Sequence, residues 1–271
     1  MTEISKLEHC VLAQAEYGLH YFTQGDARNE LIVFLHPAFG DHTCFAEQID
    51  VFALHYRVVV VDMIGHGLSQ VKGSQTIAHT SALFVDIIAR EGHNEAHLVG
   101  VSLGGLIAQD VAARFPTMIK TLTVLGGYPI FGASNAIQRA QLGEMAKWLL
   151  LMIVSMERFR RYIARKTVIH PHAQAKFYAS TRLFTRRSLR AMSGMNTVMR
   201  PEYKPQQHPF QILIGDQDIP LMRAVAEAWH QQEPNSEYHL IRNAGHCANM
   251  DNPLDFNALL LSFITRHSGQ F

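Results

Sequence analysis

Gly100-Val101-Ser102-Leu103-Gly104 sets a serine in the pattern G-x-S-x-G. A hydroxyl is a weak nucleophile unless its geometry exposes it and a base removes its proton. The pentapeptide alone is a weak signal, and its setting adds most of the information. Ala96-His97-Leu98-Val99 enters it as a strand and Leu106-Ile107-Ala108 leaves it as a helix. A strand–turn–helix junction this tight needs small neighbours, and it pushes the hydroxyl clear of the backbone. The helix N-terminus behind it favours negative charge on whatever the serine attacks. The bland alternative is a serine that only caps a helix.

A base and an acid should follow the serine along the chain, acid first. His246, in Asn243-Ala244-Gly245-His246, lies late in the sequence on a loop just past a predicted strand. His267 is the other late histidine, but it sits on the last helix or tail. For the acid, Phe210 to Ile214 runs into Gly215-Asp216-Gln217-Asp218, where two aspartates compete. Asp218 is favoured because Ile219-Pro220 and a helix follow it. Asp216 is better placed to shape the turn through its backbone contacts. The acid fixes the imidazole tautomer and steadies its positive charge. Acyl transfer also needs donors for a developing oxyanion. The backbone N–H of Leu103 is one, and Ala38 in His36-Pro37-Ala38-Phe39-Gly40 is the choice for the other, with Phe39 close behind. Pro37 has no N–H to offer.

The elements that must position these residues can be read from the hydrophobic pattern. Leu31 to Leu35, Val58 to Val61, Ala96 to Val101, Thr121 to Leu125 and Phe210 to Ile214 are short apolar runs ending at polar or turn residues, and Glu237 to Arg242 is a further candidate. Such runs suit strands covered on both faces. Helical stretches separate them: Cys44 to His55, Thr76 to Glu91, Leu103 to Phe115, Leu221 to Gln232 and Pro253 to Arg266. This alternation predicts an α/β fold with a mostly parallel sheet and helices on both faces. Leu7 to Leu12 and Gly18 to Thr23 read as an antiparallel hairpin at one edge. Pro129 to Pro205 has helical character and no buried-strand run. The expected organisation is therefore a core in two parts, residues 1–128 and 206–271, interrupted by a helical cap insertion over residues 129–205.

Four blocks together resemble the α/β-hydrolase superfamily, in its cap-bearing serine hydrolase branch. They are His36 to Gly40, Asp62-Met63-Ile64-Gly65-His66-Gly67-Leu68-Ser69, Gly100 to Gly105, and Gly215 to Asp218 with Gly245-His246. The resemblance implies that Asp62 to Ser69 is a structural turn, so Asp62 and His66 stay outside the catalytic set. It also implies that residues 129–205 stand where the family inserts its lid. The family's oxyanion loop usually reads His-Gly, whereas this chain has His36-Pro37, which leaves the choice between Ala38 and Phe39 open.

Composition bounds the remaining possibilities. The 271 residues, 48% of them hydrophobic, suffice for one large core. Net charge is +1, which points to no nucleic-acid partner. Three cysteines do not make a disulfide framework, and a reducing cytoplasm is the simplest setting. No signal peptide or membrane span is expected; the longest apolar run is Trp148 to Val154. No metal-ligand spacing or phosphate-binding glycine loop appears, so no cofactor is expected.

The even total hides an asymmetry. Residues 129–205 carry fourteen Lys and Arg against three Glu, a net +11. Three readings fit: charge complementarity with the core, arginines facing the pocket to select an anionic small-molecule substrate, or docking to an anionic membrane surface. The last is weakest, because Leu149 to Val154 reads as a helix packed on the pocket. The expected activity is hydrolysis of a small ester or thioester. The same residues also suit a C–C bond hydrolase or lyase, or a ligand receptor with a slow triad.

Overall fold

Every residue of the strand Leu31–Leu35 is buried, because its side chains alternate between two cores on opposite faces of one sheet. Leu31, Val33 and Leu35 join one core, and Ile32 and Phe34 the other. The computed structural model describes residues 6–14, 17–71, 73–132, 135–200 and 202–269.

The chain opens with an antiparallel hairpin, β1 (Glu8–Gln14) and β2 (Tyr17–Gln24), followed by β3 (Leu31–Leu35). A 3-10 turn and α1 (Ala46–Phe52) lead to β4 (Arg57–Val61), then α2 (His79–Arg90) to β5 (Ala96–Val101) and α3 (Leu103–Arg114) to β6 (Ile119–Leu125). Four helices come next: α4 (Asn135–Val154), α5 (Met156–Thr167), α6 (Pro171–Ser180) and α7 (Leu189–Met192). The core resumes with β7 (Phe210–Gly215), α8 (Pro220–Gln232), β8 (Ser236–Ile241), α9 (Ala248–Asp251) and α10 (Pro253–Arg266).

The sheet order is β1-β2-β4-β3-β5-β6-β7-β8, parallel from β4 onward with the hairpin antiparallel at one edge. Strand order reverses at β3, since β4 pairs on one side of it and β5 on the other. Such a reversal opens a crevice at the carboxyl ends of the strands, where ligands bind in this class of sheet. The loop at 36–40 and the turn at Ser102 both leave strands there.

Two predicted helices differ at their starts. The one expected over Cys44 to His55 is a 3-10 turn at His42–Phe45 followed by α1, because the Asp41 carboxylate accepts from the Thr43 N–H (3.0 Å) and winds the chain early. The one expected from Thr76 begins at His79, whose imidazole accepts the Thr76 N–H (3.0 Å). The isolated bridge Phe131–Arg200 ties together the two ends of the insertion between β6 and β7. No helix among the described residues is long and apolar enough to cross a membrane.

Two histidines are locked inside this core. Burial pushes His97 down to about 4 and His66 down to about 3. His97 hydrogen-bonds Thr121 Oγ1 (2.9 Å) and Glu30 Oε2 (3.3 Å). Unfolded, each takes up a proton near pH 6.5. Below that pH the unfolded chain binds more protons, so stability is complete above about 6.5 and is lost as pH falls towards 4. Melting temperature should fall over this window, and His97→Gln should flatten the acid slope relative to wild type. An unchanged slope would remove His97 from the account.

Candidate active site

β5 ends and α3 begins at a single residue. Ser102 sits there with φ 51° and ψ −114°, a conformation that a residue with a side chain rarely adopts. The Ser102 N–H donates to the Leu125 carbonyl (2.8 Å), and its carbonyl accepts from Gly105 and Leu106. The turn closes because no Cβ stands in the way. A Cβ on Gly104 would lie 2.0 Å from the Leu35 carbonyl oxygen, and one on Gly100 2.4 Å from the Gly104 carbonyl oxygen. The first turn of α3 therefore rests on the end of β3. The N–H of Leu103, in that first turn, has no intrahelical acceptor.

Asp218 and His246 arrive from the loops after β7 and β8. His246 Nδ1 lies 2.8 Å from Asp218 Oδ2, and His246 Nε2 lies 2.8 Å from Ser102 Oγ. An ionised Asp218 can only accept, so Nδ1–H donates to it and Nε2 is left to accept the Ser102 O–H. Asp218 is almost wholly buried and also accepts from the Ile219 N–H (2.7 Å). Burial works against charging His246, but the Asp218 charge and hydrogen bond outweigh it and hold the pKa above 6.5. Asp216 does different work: its Oδ1 accepts from the Ala244 N–H (3.2 Å) and braces the histidine loop.

The loop after β3 is held from behind by a buried histidine. His36 Nε2 accepts from the Met63 N–H (3.1 Å), so Nδ1–H donates to the Pro37 carbonyl (2.8 Å). Burial lowers the pKa of this ring below the usual histidine range. Phe39 has φ 72°, and its ring packs edge-on against Trp148, Phe159 and Phe184 at about 5 Å between centroids. Asp62 is consumed by its own turn, accepting from His42 N–H (2.8 Å), His42 Nδ1–H (2.9 Å) and Leu68 N–H (2.8 Å). Cys247, beside His246, is buried, and burial holds its thiol well above the usual range.

These loops meet at a cavity of about 200 Å³. Ser102, His246, Asp218 and Ala38 line it from the core, and Trp148, Ile163, Lys166 and Thr167 from the insertion. No arginine lines it among the described residues. Among the described residues, Lys166 is the one Lys or Arg in the wall, 3.7 Å from Glu144, which also lines the cavity. Three of the arginines in residues 129–205 are engaged elsewhere. Arg160 binds the carbonyls of Thr181, Arg182 and Phe184, Arg186 those of Met152 and Ile153, and Arg200 pairs with Asp110 (2.7 Å). Arg139 lies where side chains are not described. No group of three His, Cys, Asp or Glu side chains among the described residues is arranged to hold a metal ion.

One positioning residue escapes sequence reading. The Asp251 carboxylate accepts from the N–H groups of Gly245 (2.9 Å), Ile169 (3.0 Å) and His170 (3.0 Å). It thus binds the His246 loop to the α5–α6 junction. The only signal was an acid five residues after the histidine, just ahead of Asn252-Pro253, which reads equally well as a helix start.

Residues 32–259 match the model of the Alpha/beta hydrolase family. The chain is 28% identical, over 86% of its length and 93% of the relative's, to 2-succinyl-6-hydroxy-2,4-cyclohexadiene-1-carboxylate synthase of Klebsiella pneumoniae. It is 24% identical, over 90% and 96% of the two chains, to pimeloyl-[acyl-carrier protein] methyl ester esterase of Yersinia pseudotuberculosis. Among solved structures it resembles a thermophilic esterase from Thermogutta terrifontis, with TM-score 0.80, 17% identity and coverage of 97% and 99%.

The close approach at Gly104 yields a stability prediction. Gly104→Ala must move either α3 or β3, because the atom it meets belongs to the backbone. Thermal or urea unfolding should show a loss of about 3 kcal/mol or more. A loss below about 1 kcal/mol would mean that the turn has slack.

Proposed function

Because the chain belongs to the alpha/beta hydrolase family, we propose that this hydrolase cleaves a small ester or thioester through an acyl-enzyme on Ser102. The observation that carries this reading is the unbroken hydrogen-bonded line from Ser102 through His246 to Asp218 at the cavity wall. Ser102 Oγ attacks the carbonyl carbon while His246 Nε2 takes its proton. Asp218 holds the tautomer and stabilises the imidazolium. The oxyanion is received by the N–H groups of Leu103 and Ala38. Collapse expels the alcohol or thiol, which leaves with the proton from His246. Water, deprotonated in turn by His246, then attacks the acyl-enzyme and frees Ser102. Residues 129–205 act as the cap over this chemistry, in a reducing cytoplasm that suits three free thiols.

The cavity wall favours an uncharged acyl group. Phe39, Trp148, Ile163, Leu221 and Met222 give it an apolar lining, and Glu144 offsets the charge of Lys166. The similarity to a synthase over nearly the whole chain keeps a second reading, in which the same serine and histidine serve a C–C lyase or hydrolase. The receptor reading is set aside, since the similar proteins are enzymes.

Four outcomes test the proposal. Ser102→Ala should lower ester turnover by about a thousandfold or more with the fold intact by circular dichroism; a variant retaining a tenth of the rate would remove Ser102. The base must be neutral to work, so kcat/KM should fall as pH drops through a value above about 6.5. Asp218→Asn removes the charge that raises His246, so the residual activity should show its acid limb at lower pH; an unmoved limb would exclude Asp218 as the partner. A neutral ester should be hydrolysed at least as well as its carboxylate-bearing isostere. A tenfold preference for the carboxylate would make Lys166 an anion clamp.

A further inference from the structure

Helix α4 turns an apolar face outward. Met145, Leu149 and Ile153 form one stripe at i, i+4, i+8, and Ala146, Leu150 and Val154 form the stripe beside it. Ile153 is 73% exposed, Leu150 62% and Val154 57%. The opposite face packs inward through Trp148 and the buried Met152. Sequence pattern assigns the whole run to the pocket, but helical periodicity gives the pocket only half of it.

Helix α5 turns a basic face outward. Arg158, Arg161, Arg165 and Lys166 surround Tyr162 in a shallow groove, while Phe159, Ile163 and Ala164 are buried behind them. Arg161 pairs with Glu157 (2.8 Å) and Lys166 with Glu144, whereas Arg158 and Arg165 meet no carboxylate among the described residues. The two outer faces adjoin. Lys147 of α4 stands over the Tyr162 ring at 4.4 Å, Glu144 of α4 accepts from the Tyr162 hydroxyl (2.9 Å), and one residue separates the helices.

An apolar patch of this extent, bordered by bases, needs an occupant. We propose that the α4–α5 face docks on an anionic phospholipid surface. Charge complementarity selects the headgroups, and the aliphatic stripes enter the acyl boundary as an interfacial helix does. The bases carry apolar stems that let their charged ends reach the phosphates. A lipid surface fits better than a protein because the α4 stripes offer no donor or acceptor side chain. Protein interface cores favour aromatic and arginine anchors instead. Trp148, Ile163 and Lys166 line the cavity from these same two helices, so docking sets the cavity wall beside the bilayer. The supply of lipophilic esters from that bilayer rests on the hydrolase reading above; the docking itself does not.

Flotation of the full chain with vesicles tests this. Wild type should float with phosphatidylcholine vesicles containing about one-third phosphatidylglycerol, release as salt rises, and ignore pure phosphatidylcholine. Leu150→Glu with Ile153→Glu should abolish flotation. Arg158→Gln with Arg165→Gln should weaken it about 25-fold at low salt, about fivefold for each base, equivalent to about 1 kcal/mol apiece. Both variants should hydrolyse a soluble short-chain ester within about twofold of wild type, and Ser102→Ala should float normally. No flotation on anionic vesicles at low salt overturns the proposal, as does equal flotation of wild type and both variants. Retention on immobilised polyglutamate without flotation also overturns it, and reassigns the face to an acidic protein.

Discussion

The close contact between the first turn of α3 and the carbonyl end of β3 is the constraint on which the rest of the site depends. Gly104 lets the helix reach the Leu35 carbonyl and Gly100 clears the Gly104 carbonyl, so the turn closes with a left-handed backbone at Ser102. Sheet pairing then fixes the remaining geometry. β3 and β5 are hydrogen-bonded neighbours, with Leu35 opposite Gly100, so the 36–40 loop and the serine turn emerge side by side. β7 and β8 are neighbours too, and their loops bring Asp218 and His246 together across a pair of strand ends. Strain at one residue is thus held by packing that extends through two cores.

Much of this was legible in the sequence for a simple reason. Strands buried on both faces read as unbroken apolar runs, and each of the six predicted runs lies within two residues of an observed strand. Ser102, Asp218 and His246 stand on loops just past three of them, and the structure brings these side chains within hydrogen-bond distance. Helix starts were less legible, because Asp41 and His79 redirect single backbone N–H groups that no periodicity reveals. Asp251 was not legible at all. Its three partners are backbone groups, two of them some 80 residues distant, and backbone groups carry no sequence signature.

Charge shows the limit of composition most clearly. A net +11 over residues 129–205 suggests a basic roof, but position decides what each base does. Arg160 and Arg186 are spent on carbonyls at the ends of helical segments, where a guanidinium satisfies acceptors that the helix leaves open. Arg200 joins the insertion to the core through Asp110. The α5 row faces the outer surface beside an apolar row on α4. The run from Trp148 to Val154 could not be divided between pocket and solvent until the helix had a direction.

The Asp251 bridge has a mechanical consequence. Because one carboxylate grips both the His246 loop and the α5–α6 junction, that side of the insertion cannot swing outward without dragging the histidine from Ser102. The α6 end is therefore the fixed jamb of the doorway. On the α4 side, by contrast, the insertion meets the β3 loop through the edge-on rings of Trp148 and Phe39.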